Sequence, residues 1–253
     1  MEFSNRYILT FAFVLCLVSA LGVSSLAVSL KDLQDANKLL DKRTNILRVA
    51  GVVEPGKKVT IEEADALFKE IDVLVIDRRT GETLGIDPET VDPLRMQRDP
   101  EMSAETPAAH QRTQISRLPD QLVLYRVNTE GKQGYVLPIW GTGLWSTLLG
   151  FLALDNDLRL VTGITFYEHG ETAGLGGEVD NPNWKALWPG KRAFDDDGQP
   201  AIEVVKAGLL TPGKEDVQVD GLSGATITTK GVEYMVQLWL SEDGYGQYFN
   251  RVL

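Results

Sequence analysis

Cysteine and histidine are scarce in this chain of 253 residues, and their scarcity excludes several kinds of chemistry. The only cysteine, Cys16, lies in an apolar run near the N-terminus, so disulfides, thiolate metal sites and cysteine nucleophiles are excluded together. The two histidines, His110 and His169, lie far apart and lack the spacing of metal ligands. Because the chain's own side chains supply no redox chemistry, a redox function requires a bound cofactor.

Positive charge is also in deficit. The chain has 25 lysines and arginines against 36 aspartates and glutamates, a formal net charge of −11. Nucleic-acid-binding proteins need a basic surface that neutralises phosphates, so this balance argues against a nucleic-acid partner. The acidic run Asp195-Asp196-Asp197 stands beside Gly198 and is typical of a solvated turn, so we predict neither a metal site nor an acid–base pair there.

Charged residues are absent from residues 7–28, which consist mainly of Leu, Val, Ala, Phe and Ile. About 20 such residues span the core of a bilayer as a helix, so we predict a retained transmembrane anchor over residues 1–28. A cleaved signal peptide is the main alternative, with cleavage after Ala20 or Ala27. The run is longer than a typical signal-peptide core, and its unbroken apolarity argues against a buried helix of a soluble domain.

The segment after the anchor, residues 29–120, predicts helices, one strand and a long loop. A helix over residues 29–50 continues from the anchor, and Thr60 with Glu63 forms a capping box before a second, short helix that extends to Ile71. The high β-branched content of residues 73–76 predicts a buried strand. The polar, acidic and proline-rich stretch that follows, residues 87–114, predicts a long surface loop.

Residues 121–253 predict a strand-rich α+β domain. Two pairs of strand-like runs, each joined by a turn sequence, predict two hairpins, and a short helix follows them. These runs and the helix lie at residues 122–127, 133–139, 150–154, 160–167 and 182–187. The fold class is therefore α+β, with a single N-terminal membrane helix followed by a mostly antiparallel sheet and flanking helices.

The most informative stretch is Asp-Gly-Leu-Ser-Gly-Ala-Thr at residues 220–226. A strand-like run precedes it, and residues 230–240 have the apolar spacing of a helix that Thr228 or Thr229 could cap. Small residues before a helix N-terminus expose backbone N–H groups to an anion. The residues alone leave two interpretations open, an anion pocket with exposed hydroxyls or a simple strand–helix connector.

Two glycine-rich segments come earlier in the chain. Gly-Thr-Gly-Leu-Trp-Ser at residues 141–146 is by itself a turn whose tryptophan could pack in the core. Glu-Thr-Ala-Gly-Leu-Gly at residues 171–176 is by itself an ordinary turn and lacks the context of a dinucleotide-binding fingerprint. Lys206 lies in a strand-like run and is more typical of a surface lysine than of a partner for cofactor charge.

These three segments together resemble one family. Residues 220–226 match completely the attachment motif for covalent FMN in membrane redox complexes, in which the last threonine carries the phosphoester. The two glycine-rich segments resemble other parts of that flavin domain, with Ala173 where proline is common. Because the anchor, the helix after it and all three segments follow the family's order, the chain resembles the C subunit of the sodium-translocating NADH:quinone reductase.

The resemblance implies covalent FMN on Thr226 and places the cofactor among the three segments. Its phosphate is expected at the turn before the helix, with Trp145 and Leu175 against the flavin ring and Glu171 or Thr172 at the ring's polar edge. No catalytic residue and no metal ligand is implied. The implied cofactor-binding residues are Thr226, Ser223, Gly224, Ala225, Asp220, Trp145, Leu144, Glu171, Thr172, Gly174 and Leu175.

The implied function is that of a flavoprotein component in a six-subunit complex that oxidises NADH, reduces ubiquinone and exports sodium. A flavin transferase would install the FMN. The resemblance also implies a single-pass protein of the bacterial inner membrane with its domain on the periplasmic side, whereas a simple count of flanking lysines and arginines favours the cytoplasm. The alternatives are the flavin subunit of an Rnf-type electron-transport complex and an extracytoplasmic binding or assembly module.

Overall fold

The computed structural model describes residues 4–54, 56–129 and 131–253 and divides the chain into two compact units, Met1–Lys42 and Arg43–Leu253. The first unit contains helix α1, Asn5–Ser29, which begins after Ser4 caps the N–H of Tyr7. None of the described residues of α1 is buried, and the helix is long and apolar enough to cross a membrane by length and composition. This confirms the predicted N-terminal apolar helix.

Helix α2, Lys31–Val49, follows directly, as predicted. Its last turns are amphipathic and bury Ile46 and Leu47 completely, so the end of this helix belongs to the core of the second unit. Helix α3, Ile61–Phe68, begins at the predicted capping box, in which Thr60 and Glu63 each bond the other's backbone N–H. We expected α3 to extend to Ile71, but Ile71 begins a strand.

A six-stranded antiparallel sheet forms the centre of the second unit. Every pair of neighbouring strands is antiparallel, which confirms the predicted α+β class with a mostly antiparallel sheet. Its strands, in chain order, are β1 Ile71–Asp77, β2 Thr83–Leu84, β5 Gln121–Thr129, β6 Lys132–Thr142, β7 Thr147–Asp155 and β8 Val161–Glu168. Their spatial order is β2-β1-β5-β6-β7-β8, and both predicted hairpins are present.

The sheet extends across the predicted boundary between residues 120 and 121. Strand β1 pairs with β5 along its whole length, from Ile71 opposite Val127 to Asp77 opposite Gln121. Residues 43–120 and 121–253 therefore belong to one compact unit.

Residues 87–114 do not form the long loop that we predicted. They contain two short 3-10 helices, Pro88–Thr90 and Ala108–Thr113, together with helix α4, Pro93–Met96, and strand β3, Ser103–Glu105. Asp-Pro pairs start two of these elements; Asp92 accepts the N–H groups of Leu94 and Arg95, and proline fits the first helical position. We took proline and acid as loop signals where they are also helix-start signals.

The remaining strands form two small two-stranded sheets. Strand β3 pairs antiparallel with β4, Arg117–Pro119, and β9, Glu203–Val205, pairs parallel with β10, Gln218–Asp220. Helix α5, Pro182–Lys185, is the short helix predicted after the hairpins. Helix α7, Gly246–Val252, ends the chain.

Helix α6, Thr226–Leu240, packs its apolar face on strand β6. Val232, Met235, Val236 and Trp239 are fully buried, as their helical spacing predicts. The indole of Trp239 donates its N–H to the backbone carbonyl of Trp140, at 2.7 Å. This packing brings the first turn of α6 to the end of β6. The three segments at residues 141–146, 171–176 and 220–226 lie there.

Candidate functional site

Three loops and the first turn of α6 meet at one end of the sheet. The first loop joins β6 to β7 and is closed by Gly143, whose N–H donates to the carbonyl of Ser146 at 2.8 Å. The second follows β8, and the third joins β10 to α6. All three sequence segments predicted to form the site therefore lie close together in the second unit.

The carboxylate of Glu171 is the common contact of these loops. Its side chain is buried, with 8% of the residue exposed. Oε1 accepts the N–H groups of Trp145 (2.9 Å) and Ser146 (3.1 Å) and also the Ser146 hydroxyl (3.3 Å). Oε2 accepts the N–H of Leu144 (3.2 Å) and the hydroxyl of Thr228 (2.6 Å). One carboxylate thus joins the first loop to the first turn of α6.

Glycines make room for this carboxylate. A Cβ atom on Gly143 would lie 2.6 Å from Glu171 Oε1, and one on Gly176 would lie 2.6 Å from both Glu171 Oε2 and Thr228 Oγ1. Such distances are shorter than real Cβ contacts, so any side chain at either position would displace the carboxylate. We call Gly143, Glu171, Gly176 and Thr228 the buried wall of the site.

Glu171 is held in its charged form. Burial alone would raise the pKa of this carboxyl, but the hydrogen bonds from the Thr228 hydroxyl and from the N–H groups of Trp145, Leu144 and Ser146 outweigh burial and lower the pKa below its ordinary value. Our prediction that Glu171 could bond a ligand's polar edge does not agree with this geometry, because both of its oxygens already accept protein donors inside the wall.

Helix α6 begins four residues earlier than we predicted. Ala225 is its N-cap residue and has no side-chain acceptor, so no cap hydrogen bond forms among the described residues. Thr228 and Thr229, which we expected to cap the helix, point inward; Thr228 donates to Glu171, and Thr229 accepts the N–H of Leu222 at 3.1 Å. The first N–H groups of α6 therefore have neither an intrahelical acceptor nor a side-chain cap.

Thr226 is the first residue of α6, and its side chain is exposed, as are Ser223 and Gly224. Gly224 has φ +73°, a left-handed conformation that disfavours other residues, and a Cβ there would come within 3.1 Å of Leu175 Cδ2. The second and third loops are thus in contact beside the exposed threonine hydroxyl.

Large apolar side chains are exposed on the first and second loops and on the first turn of α6. Trp145 is 72% exposed, Ile227 56%, Leu144 46% and Leu175 45%. With Thr226 they form what we call the exposed rim. We had left open whether Trp145 packs in the core, and the structure answers that it does not. Ile227 was missed from the sequence because the predicted helix began only at residue 230.

Other predicted residues have structural partners or lie at the edge of the site. The Asp220 side chain accepts the N–H of Gly208 at 2.7 Å, and its backbone carbonyl accepts the indole N–H of Trp184 at 2.8 Å. Thr172 and Gly174 are exposed, and the carbonyl of Thr172 closes the second loop by accepting from Leu175 and Gly177. Asp220 therefore supports the third loop through protein contacts.

The acidic run forms the solvated turn that we predicted. Asp195 accepts the N–H groups of Asp197 and Gln199 within that turn. In the part of the chain that the structure describes, no group of histidine, cysteine or acidic residues has the arrangement of a metal site. Lys206 is exposed.

The site combines features that suit a ligand with an anionic group and a flat apolar part. An uncapped helix start provides backbone donors and the positive end of a helix dipole. The rim provides an exposed indole, three exposed aliphatic side chains and the exposed residue Thr226. The buried wall, with its ionised carboxylate, orients the loops that carry these groups.

The similarity of this chain to known proteins covers the same three loops and helix α6. Residues 143–241, which contain all three loops and α6, match the FMN-binding domain family. The class of protein is therefore one in which an FMN-binding domain follows an N-terminal apolar helix. Over 98% of this chain and 95% of the relative, it is 46% identical to the C subunit of the Na(+)-translocating NADH-quinone reductase of Pseudomonas aeruginosa. The corresponding protein of Yersinia pestis is 43% identical over 94% of this chain and 90% of its own length.

Solved structures give the same result. The crystal structure of Shewanella oneidensis NqrC superposes with a TM-score of 0.76 at 30% identity, covering 87% of this chain and 98% of that one. The crystal structure of the corresponding protein from Parabacteroides distasonis gives a TM-score of 0.66 at 28% identity, covering 87% and 96%. The chain belongs to the NqrC family, the C subunits of the Na+-translocating NADH-quinone reductase.

Proposed function

We propose that this chain carries FMN covalently on Thr226, through a phosphoester to the threonine hydroxyl, and serves as an electron relay in a Na+-translocating NADH-quinone reductase. The observation that carries the proposal is the position of Thr226. It is the exposed first residue of an uncapped helix, at the end of a complete attachment motif, and it stands inside a matched FMN-binding domain.

The first turn of α6 would hold the phosphate. Its N–H groups lack intrahelical acceptors, and the helix dipole favours a negative charge at this end. Gly224 and Ala225 present little side-chain bulk there, and the hydroxyl of Ser223 is exposed beside them. These residues favour the phosphate position that the threonine ester requires.

The exposed rim would hold the isoalloxazine ring. Trp145 offers a flat aromatic surface, and Leu144, Leu175 and Ile227 offer aliphatic contacts that would be shielded from water by the ring. Thr172 and the backbone near Gly174 lie at the exposed end of the second loop, where polar groups of the ring could bond. When bound, FMN supplies the capacity to accept and pass on electrons; the chain's own residues orient it and shield it from water.

Helix α1 would anchor the protein in the bacterial inner membrane, with the flavin domain on the periplasmic side. The support is the length and apolarity of α1 and the names of the relatives, which are subunits of a membrane ion-translocating reductase. The partners in this proposal are the other subunits of a six-subunit complex and, during maturation, a flavin transferase. Retention of the anchor is checked by the intact mass of the membrane-extracted chain, and a mature N-terminus near Ala27 would contradict it.

The flavin proposal is tested on the full-length chain produced together with a flavin transferase. After denaturation and washing, the wild-type chain should keep a flavin absorption spectrum, Thr226→Ala should lose it, and Thr226→Ser should keep part of it because a hydroxyl remains. Thr162→Ala is the control, since it removes an exposed threonine hydroxyl of strand β8, outside the attachment motif, and should leave the flavin attached. A colourless wild-type chain would overturn the proposal in favour of a binding or assembly role without redox activity.

A further inference from the structure

We propose that Glu171 is a positioning residue, whose buried carboxylate ties the Leu144–Ser146 turn to the first turn of α6 and so sets where the flavin ring lies relative to Thr226. This inference rests on the proposed function, because it concerns the same site. It differs from the expectation that Glu171 touches the ring, and it assigns the residue to the protein side of the site.

Glu171 cannot serve the ring directly while the wall is intact. Its two oxygens accept three successive backbone N–H groups, of Leu144, Trp145 and Ser146, and two hydroxyls, of Ser146 and Thr228. With 8% of the residue exposed, Glu171 is largely covered by the protein. Any effect of Glu171 on a ligand must therefore pass through the residues that it holds.

Those residues lie directly beside the two ends of the proposed ligand. Trp145, which would cover the ring, is fixed through its own N–H, and its side chain points to solvent. Thr228 lies two residues after Thr226 in the first turn of α6, so the carboxylate restrains the helix start that would carry the phosphate. The absence of side chains at Gly143 and Gly176 allows the carboxylate to approach both segments this closely.

A second contact supports the same arrangement. The Ser146 hydroxyl, which donates to Glu171, accepts the N–H of Gly170 at 2.7 Å, and the N–H of Glu171 donates to His169 Nδ1 at 3.2 Å. The first loop is thus bonded to the second loop through Gly170 as well as through Glu171, and the His169 ring fixes the backbone of Glu171. The Glu171 side chain links Trp145 to α6, and the hydrogen bond between Ser146 and Gly170 supports that link.

The charge of Glu171, as well as its shape, is required by this geometry. The carboxylate faces donors only, five in all. A glutamine has the same shape but one acceptor oxygen, and although its amide nitrogen can donate to a hydroxyl, it cannot accept the backbone N–H groups of the turn. Glu171→Gln therefore releases part of the Leu144–Ser146 turn without opening a cavity.

Glu233, which lies in helix α6 with Thr228, offers a matched control for Glu171. It too is a buried carboxylate, 7% exposed, and it accepts a backbone N–H, from Val204 at 2.6 Å, together with the ammonium of Lys230. Glu233 does not contact the Leu144–Ser146 turn in the described residues. Glu233→Gln therefore disturbs a buried carboxylate of α6 without disturbing the proposed ring contact.

The test is a double-mutant cycle on the full-length flavinylated chain, read by the visible absorption and fluorescence of the attached flavin. Glu171→Gln should keep flavin on Thr226 but shift its absorption band and relieve the quenching of its fluorescence by the indole. Trp145→Ala should do the same, and the double variant should add nothing to Trp145→Ala, because both changes act through one contact. Glu233→Gln should leave the flavin signals unchanged.

Thr228 variants keep the test valid if Glu171→Gln does not fold or does not acquire flavin. Thr228→Val removes one donor to the carboxylate and should shift the flavin signals in the same direction, whereas Thr228→Ser keeps the hydroxyl and should restore them. Unchanged signals in both Glu171→Gln and Thr228→Val would overturn the inference. Equal shifts in Glu233→Gln, or fully additive shifts in the double variant, would overturn it as well, since the effect would then be one of general stability.

The outcomes separate this inference from the function on which it rests. A wild-type chain without covalent flavin overturns both. A wild-type chain that carries flavin, with Thr226→Ala losing it and Glu171→Gln leaving its signals unchanged, overturns the positioning role alone and leaves the attachment site intact.

Discussion

The exposed rim and the buried wall of the site lie within a few residues of each other, yet they are built in opposite ways. Rim side chains such as Trp145 and Leu175 are large, apolar and exposed. Wall groups such as Glu171 and Thr228 are polar, buried and paired with each other. The usual distribution of polar and apolar groups is inverted here. Such an arrangement suits an exposed rim that binds a ligand with an apolar part and a buried wall that fixes the position of the rim.

The largest effect should come from a change at the rim that leaves the fold untouched. Thr226→Ala removes an exposed hydroxyl, so covalent flavin should be lost completely while the free energy of unfolding changes by less than about 0.5 kcal/mol. In-gel flavin fluorescence and urea unfolding of the same preparation check the two halves of this prediction. A large loss of stability in Thr226→Ala would remove the distinction between rim and wall.

A change in the wall should instead affect stability. Gly176→Ala places a Cβ atom 2.6 Å from the Glu171 carboxylate and the Thr228 hydroxyl, and such overpacking should cost about 1–3 kcal/mol. Gly85→Ala is the control, because a Cβ there meets nothing within 4 Å, and it should not lower stability. The measurement is urea unfolding of both variants; equal stabilities would contradict a tightly packed wall.

Low pH should reduce the contribution of the buried wall to the free energy of unfolding, because Glu171 becomes protonated. The folded protein lowers the pKa of this carboxyl, so its ionised form stabilises the fold above the ordinary glutamate pKa, and this contribution is lost as the pH falls through the lower, folded pKa. Glu171→Gln has no such titration. The stability advantage of the wild-type chain over Glu171→Gln should therefore shrink on acidification below the ordinary glutamate range.

Unfolding of the wild-type chain and of Glu171→Gln at neutral and acid pH checks this prediction, because other titrating carboxylates are common to both chains. An advantage that stays constant or grows as the pH falls would show that Glu171 is not held ionised by its five donors.

The smallest effect on the protein should come from truncating the apolar rim. Trp145→Ala and Leu175→Ala remove side chains that are 72% and 45% exposed, so unfolding free energies should change by less than about 0.5 kcal/mol. The flavin spectrum or potential should shift in both, while the ester remains. If both variants leave the spectrum and potential unchanged, the ring does not lie on this rim.

The sequence predicted the parts of the molecule whose signals are local. The apolarity of α1, the capping box at Thr60 and the strand alternation of both hairpins each depend on residues close in sequence, and each was confirmed. The three site segments were found because their motifs are short and continuous. Residues 87–114 were misread because aspartate and proline are signals both for loops and for helix starts.

The wall could not be predicted in the same way. Glu171 meets Thr228 across 57 residues and Trp145 across 26, and only the packing of α6 on β6 brings them together. The start of α6 at Thr226 was missed because Ala225 has no capping side chain. The residues before Thr226 therefore give no signal for a helix start. Thr228 and Thr229 were predicted to cap the helix, but their hydroxyls point into the protein.

The central claim is that the rim exists to receive a flavin held on Thr226. Its most direct test is the mass spectrum of the proteolytic peptide that contains residues 220–230, taken from the full-length chain produced with a flavin transferase. The predicted result is a peptide heavier by FMN less one water, with fragmentation that locates the added mass on Thr226. An unmodified peptide, or flavin located on Ser223, Thr228 or Thr229, would contradict it.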